Sequence, residues 1–218
     1  MDLQLGDIIV VTGTDTAVGK TVTTAALAAD LRARGLRVRA LKPVQTGVEP
    51  GSESDADLIA RGAGHPPLAM ASLAEPLSPH LALERAGLAL GRDDILDWIA
   101  FHRGEITLVE GSGGWEVPLC RDFTVADLAV ALGARVLLVA QNRLGVLNHA
   151  CLSARAISAR GLVTWRVALS PGTGGLAVAL NETELPRLLP GHDVRLFPSV
   201  DINDLGALAR AGRGLSSR

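Results

Sequence analysis

Hydrophobic positions in this chain fall into short β-branched runs separated by longer amphipathic stretches. Ile8-Ile9-Val10-Val11 is continuous rather than alternating, the pattern of a parallel strand covered on both faces. An Ala/Leu-rich stretch from about Lys20 to Arg34 predicts a helix, and Gly35 stops it. Further strands are expected at Arg37 to Leu41, Ile106 to Val109, Ala134 to Ala140, Leu162 to Leu169 and Val194 to Phe197. Between them, helices are expected from Asp55 to Arg61 and from Arg92 to Ile99, where Ile95, Trp98 and Ile99 share a face. Others are read from Thr124 to Leu132, after Ala150 to Arg160, from Asn181 (as cap) to Leu189, and from Ile202 to Ala211. The segment 62–91 has no clear period, and fraying is expected from Gly212 onward. Alternation of strands with helices implies one α/β domain over 1–218. Its sheet is doubly wound and mostly parallel, with helices on both faces.

The first strand runs into Thr12-Gly13-Thr14-Asp15-Thr16-Ala17-Val18-Gly19-Lys20-Thr21, and then into the first helix. Strand, glycine-containing loop, Gly-Lys-Thr and helix together form the context of a phosphate-binding loop. Backbone N–H groups and the helix N-terminus there favour an anion. Lys20 is expected to reach the terminal phosphates and the Thr21 hydroxyl to hold Mg²⁺, as in a P-loop NTPase. The spacing is unusual, because the first glycine is due at Thr14 and instead stands at Gly13. The plain alternative is a strand-turn-helix with a capping Thr.

Two more strand ends carry chemistry. Lys42-Pro43-Val44-Gln45-Thr46-Gly47 follows the second strand, and ligands of open α/β sheets bind beyond such carboxyl ends. Two lysines at neighbouring strand ends repel unless an anion offsets them, so Lys42 joins Lys20 as a candidate. Glu110-Gly111-Ser112-Gly113-Gly114 closes the third strand. An acid followed by glycines there can hold Mg²⁺ and let backbone approach phosphate. Ser54-Asp55-Ala56 reads as a helix cap, which is the plain role for Asp55, and Asp57 serves the cap or solvent.

Composition narrows the function classes. Hydrophobic residues make up 48% and charged ones 20%, so the chain is not disordered. Aromatics are 3% with no Tyr, which leaves few platforms for stacking single-stranded nucleic acid. A net charge of −2 provides no global field for nucleic acid or anionic membrane. Cys120 and Cys151 lack metal-like spacing and read as reduced thiols. MDLQLGD has no basic region leading into an apolar core, and no apolar run nears the roughly 20 residues that span a bilayer. A cytoplasmic protein is expected.

GTDTAVGKT, KPVQTG, EPLSPH, EGSGG and LGVLNH, in that order, resemble the signatures of the dethiobiotin synthetases. The resemblance covers Ile8 to about Arg160 and thins beyond. It implies that 7,8-diaminononanoate, CO₂ and a nucleoside triphosphate become dethiobiotin, the diphosphate and phosphate in biotin synthesis. By resemblance Lys20 and Lys42 are catalytic, and Thr21, Asp55 and Glu110 hold Mg²⁺. Nucleotide contacts fall on Thr14, Ala17 to Val22, Asp55, Glu110 to Gly113, and Pro198, Ser199 and Val200. Thr46 and the turn Gly145-Val146-Leu147-Asn148 contact substrate, the turn serving the neighbouring subunit of a homodimer. His80 and His149 take local structural roles.

Family members that read adenine carry an Asn at a strand end, where this chain has Ala168-Leu169-Ser170-Pro171. A broadened triphosphate preference, within about tenfold between bases, is the expectation from that strand end. A P-loop switch or scaffold ATPase of the partitioning type is the alternative, and it usually has an extra lysine near Thr14 or Asp15, absent here. Amidating relatives with a glutaminase domain need more than 218 residues.

Overall fold

The computed structural model describes residues 3–217. Its seven main strands run parallel. In chain order they are β1 (Ile8–Gly13), β2 (Val38–Thr46), β3 (Ala69–Leu73), β4 (Ile106–Gly114), β7 (Arg135–Gln141), β8 (Thr164–Ser170) and β9 (Val194–Leu196). The spatial order is β3-β2-β4-β1-β7-β8-β9. β1 is buried throughout and pairs with β4 on one side and β7 on the other. The chain winds one way from β1 and later returns to wind the other, which opens a crevice at β1's carboxyl end.

Helices cover both faces. Helix α1 (Lys20–Ala33), α2 (Asp55–Ala63) and α8 (Leu205–Ser216) bury Leu27, Ile59, Leu208 and Leu215 against Ile9, Val11 and Leu137. The other face is covered by α3 (Pro79–Arg85), α4 (Arg92–Phe101), α5 (Val125–Ala131), α6 (Val146–Ala159) and α7 (Leu176–Leu188). Ile95 and Ile99 of α4 are sealed against that face, and Trp98 packs beside them. Capping boxes at Ser54–Asp57 and Thr124–Asp127 start α2 and α5, so Asp57 caps as anticipated. Both cysteines are free thiols.

Several boundaries differ from the sequence reading. β2 does not end at Leu41 but continues through Lys42 to Thr46, because β3, hidden in the segment without a period, pairs with it. Pro43 is tolerated there, since pairing with β4 stops at Leu41 and the missing N–H falls just beyond. β4 likewise runs past Val109 to Gly114. A small hairpin, β5 (Pro118–Cys120) with β6 (Phe123–Thr124), was not foreseen. α7 starts at Leu176, so Asn181 is not a cap. It is buried inside the helix and donates to Asn142 Oδ1 and the Arg143 carbonyl. α8 starts at Leu205, capped by Asp204 rather than at Ile202, and does not fray at Gly212. Gly212 lies where a Cβ would meet the Ala26 carbonyl at 1.9 Å, and Leu215 beyond it is fully buried. Close helix packing on α1 therefore holds the last turns.

Candidate active site

The glycine displaced from its usual place has a steric reason. A Cβ on Gly13 would meet Val18 Cγ2 at 2.7 Å and the Asp15 carbonyl at 2.8 Å, so the loop folds back over this position. Thr14 stays with the sheet, its N–H donating to the Val139 carbonyl at 2.9 Å and so spent before it reaches the cradle. Gly19 is the left-handed N-cap of α1 and provides no side-chain cap, which leaves the helix N-terminus open to an anion. Lys20 Nζ donates to the Asp15 carbonyl at 2.9 Å. Burial, then the neighbouring Lys42 charge, bring Lys20 down to about 8.

Thr21, Lys42, Asp55 and Glu110 come from four elements and converge. The Thr21 hydroxyl lies 2.9 Å from Asp55 Oδ1 and 3.0 Å from Glu110 Oε1. Lys42 Nζ lies 2.6 Å from Glu110 Oε1 and 2.8 Å from Asp55 Oδ2, and donates to the Gly111 carbonyl at 3.3 Å. Burial pushes the Lys42 ammonium toward neutrality, but Glu110 and Asp55 more than offset this and hold it above its ordinary value. Burial raises Asp55, and the Lys42 charge with hydrogen bonds from Lys42 and Thr21 outweighs it, so the carboxyl sits below its ordinary range.

Glu110 Oε2 is buried with no hydrogen-bond partner among the described residues. An orphaned carboxylate oxygen beside a second carboxylate and a hydroxyl is a hard-oxygen donor set of the kind Mg²⁺ takes, with phosphates and water completing it. Thr21, Asp55 and Glu110 therefore fit such an ion.

Neighbours hold these groups in place. Gln45 accepts from the Ala56 N–H at 3.1 Å and donates to Ser72 Oγ at 2.8 Å, pinning the start of α2 and so Asp55. Only the extension of β2 past Leu41 turns Gln45 into this brace, which the loop reading concealed. Ser112 Oγ donates to the Val44 carbonyl at 2.8 Å, tying β4 to β2 beyond their ladder. Gly111 leaves room for Val125, whose methyl a Cβ would meet at 2.9 Å.

A cleft of about 630 Å³ opens over this cluster. Ala17, Gly19 to Val22, Lys42, Thr46, Asp55, Ser112 and Gly113 line it. Pro76 to Pro79 form its far wall, and His80 bonds locally to Ser78 at 3.0 Å, as anticipated. A second cavity of about 270 Å³ adjoins the loop, bounded by Ala17, Val18, Ser170 and Pro198 to Val200. It also takes in Gln141, which the sequence reading passed over. Gly145 to Asn148, the first turn of α6 and its left-handed cap, line neither cavity of this chain. The loop before that turn is nevertheless tied to the phosphate loop, because Arg143 Nη2 pairs with Asp15 Oδ2 at 3.0 Å.

A parallel, doubly wound sheet with this loop at its crevice defines a P-loop nucleotide-binding protein of the NTPase-like class. Chloroplast FtsY from Physcomitrella patens shares the fold with a TM-score of 0.52 at 19% identity, over 97% of this chain and 67% of that one. Residues 7–185 match the family described as AAA domain. The ATP-dependent dethiobiotin synthetase BioD of Anaeromyxobacter sp. (strain Fw109-5) is 44% identical over 82% of this chain and 83% of the relative. The enzyme of the same name from Mycobacterium leprae (strain Br4923) is 42% identical over 94% of both chains, and that of Mycobacterium avium (strain 104) 48% identical over 71% and 70%. The chain belongs to the dethiobiotin synthetase family.

Proposed function

We propose that the chain, acting as one unit over 1–218, is a dethiobiotin synthetase that uses Mg²⁺ and ATP to close the ureido ring of dethiobiotin from 7,8-diaminononanoate and CO₂ in the cytoplasm. The observation that carries the reading is the convergence of Thr21, Lys42, Asp55 and Glu110 at the phosphate loop. Membership of the dethiobiotin synthetase family supports this reading of the substrate. One amine takes up CO₂ as a carbamate and loses a proton. A carbamate oxygen attacks the γ-phosphorus and ADP leaves. The second amine then attacks the carbamoyl carbon, closing the ring and releasing phosphate.

Thr21, Asp55 and Glu110 would hold Mg²⁺, which when bound neutralises phosphate charge. The chain itself positions the reactants and stabilises developing charge. Lys20 reaches the terminal phosphates and Lys42 the transferring oxygens, so few covalent duties fall to the protein. Ala17 to Val22, Ser112 and Gly113 border the phosphates, and Pro198 to Val200 border the base. Thr46 faces the diamine from its place in the cleft wall.

A homodimer completes the site. Gly145 to Asn148 sit at an open helix N-terminus suited to a carboxylate, away from their own chain's cleft, with Leu144 beside them 86% exposed. Among the described residues no helix is long and apolar enough to cross a membrane.

Incubation with the diamine, bicarbonate and Mg-ATP, read by mass, tests the assignment. A product heavier than the diamine by CO₂ less water is expected. Triphosphate hydrolysis without that product, or hydrolysis that depends on a protein partner, would favour the switch ATPase instead.

A further inference from the structure

The cavity beside the phosphate loop contains an amide that no described residue engages. β7 alternates, with Leu137 and Val139 facing the α1–α8 layer and Val136, Leu138 and Ala140 facing the opposite one. Gln141, next in the odd series, falls on the α1–α8 side, the side of Val18 and Phe197. It lines the cavity of about 270 Å³, is half-buried, and has no side-chain hydrogen bond among the described residues. In register it stands opposite Ser170, the last residue of β8.

The other polar groups nearby have less to offer. Ser170 Oγ is buried and donates to the Val18 carbonyl at 2.7 Å, so it is committed to holding the phosphate loop. Pro171 and Pro198 lack N–H groups, and Val18, Phe197 and Val200 present hydrocarbon. Ser199 offers a single hydroxyl. Gln141 alone among the residues lining this cavity has a side chain whose planar group gives and accepts a hydrogen bond at once.

We propose that Gln141 reads the base of the bound nucleotide, its carboxamide pairing with adenine at N6 and N7. The inference rests on the nucleotide reading above and deepens it. The amide oxygen accepts from the exocyclic N6 amine while the amide N–H donates to N7, the bidentate pairing by which glutamine reads adenine elsewhere. Guanine presents two acceptors on the same edge and takes only one of these bonds, and pyrimidines lack the edge. Base selection has thereby moved one strand over, from the end of β8 to the end of β7. The breadth expected from the β8 end alone is then not what this cavity gives.

The test compares the parent with Gln141→Leu, which keeps the bulk and removes both hydrogen-bonding groups, and with Gln141→Glu, which keeps only an acceptor. Steady-state kinetics with ATP and GTP and thermal shifts with ADP and GDP give two readouts, the second without turnover. The parent is expected to favour ATP by about tenfold or more in kcat/KM. In Gln141→Leu that ratio falls to within about threefold through a rise in KM for ATP, GTP values hold, and the ADP shift shrinks to that of GDP. Gln141→Glu falls between. A parent without base preference, or a leucine variant that keeps the parent ratio, overturns the proposal while leaving nucleotide use intact. Equal loss with both nucleotides assigns Gln141 a structural role and also overturns it. Failure of the parent to bind any nucleotide overturns the nucleotide reading itself.

Discussion

Lys42 Nζ lies 2.6 Å from Glu110 Oε1, and both side chains are sealed from solvent. The pair is the pivot of the site, for the same Glu110 oxygen meets the Thr21 hydroxyl and the same ammonium meets Asp55. Breaking a buried ion pair by removing one partner leaves the other charge uncompensated, at a cost of about 3–5 kcal/mol. Lys42→Met should therefore lower both stability and turnover. Without Mg²⁺ its melting temperature should fall by several degrees, and with saturating Mg-ATP, kcat should drop by roughly a hundredfold or more. Recovery of full turnover once the fold is secured by ligand would remove Lys42 from the reaction.

Glu110→Gln keeps the shape of the side chain but weakens an oxygen offered to the metal. The Mg²⁺ concentration for half-maximal rate should rise by about tenfold or more, with a slower kcat. A titration of rate against Mg²⁺ checks this, and overlay with the parent curve removes Glu110 from the metal set.

Gln45 acts through Asp55 rather than on substrate. Gln45→Leu strands the buried Ala56 N–H, which costs about 1–3 kcal/mol. The freed start of α2 should then raise the Mg²⁺ requirement, while Ser72→Ala, which removes the other partner of the same amide, does so less. Equal metal titrations for parent and Gln45→Leu would confine Gln45 to stability.

His65 gives the protein an acid-sensitive joint outside the residues that line the cleft. Its Nε2 accepts from the Ala40 N–H at 3.0 Å, so the ring is neutral and Nδ1 donates to the Pro66 carbonyl at 2.7 Å. Burial, aided by the Arg39 and His102 charges, depresses its pKa below the usual 6.5, against the pull of Pro66. A histidine depressed on folding binds fewer protons folded than unfolded. Stability is thus full above about pH 6.5 and declines as pH falls below that value toward the folded pKa. Urea midpoints at pH 7.5 and pH 5.5 should differ more in the parent than in His65→Gln, and identical pH dependence would refute the joint.

Much of this site was legible along the chain because its signals are local. A β-branched run, the Gly19-Lys20-Thr21 triplet and an Ala-rich helix each follow from steric and periodic rules that act over a few residues. The acid followed by glycines in β4 and the capping boxes at Ser54 and Thr124 are equally short-range. So Lys20, Lys42 and Glu110 stand out from sequence alone, although Lys42 and Glu110 lie within β2 and β4 rather than at their ends.

What only the tertiary structure decided depends on register and packing between distant segments. Thr21 and Glu110 meet across 89 residues of chain. β2 extends past Lys42 only because β3 supplies its ladder, and that extension makes Gln45 a brace instead of a loop residue. The last turns of α8 hold because Gly212 admits the α1 backbone, although glycine read alone marks a helix end. Gln141 faces the cavity beside the phosphate loop because β7 keeps its alternation to the last residue, next to a Ser170 already bonded to Val18. Side-chain identity sets what each of these groups can do, and the pairing of strands sets which of them meet.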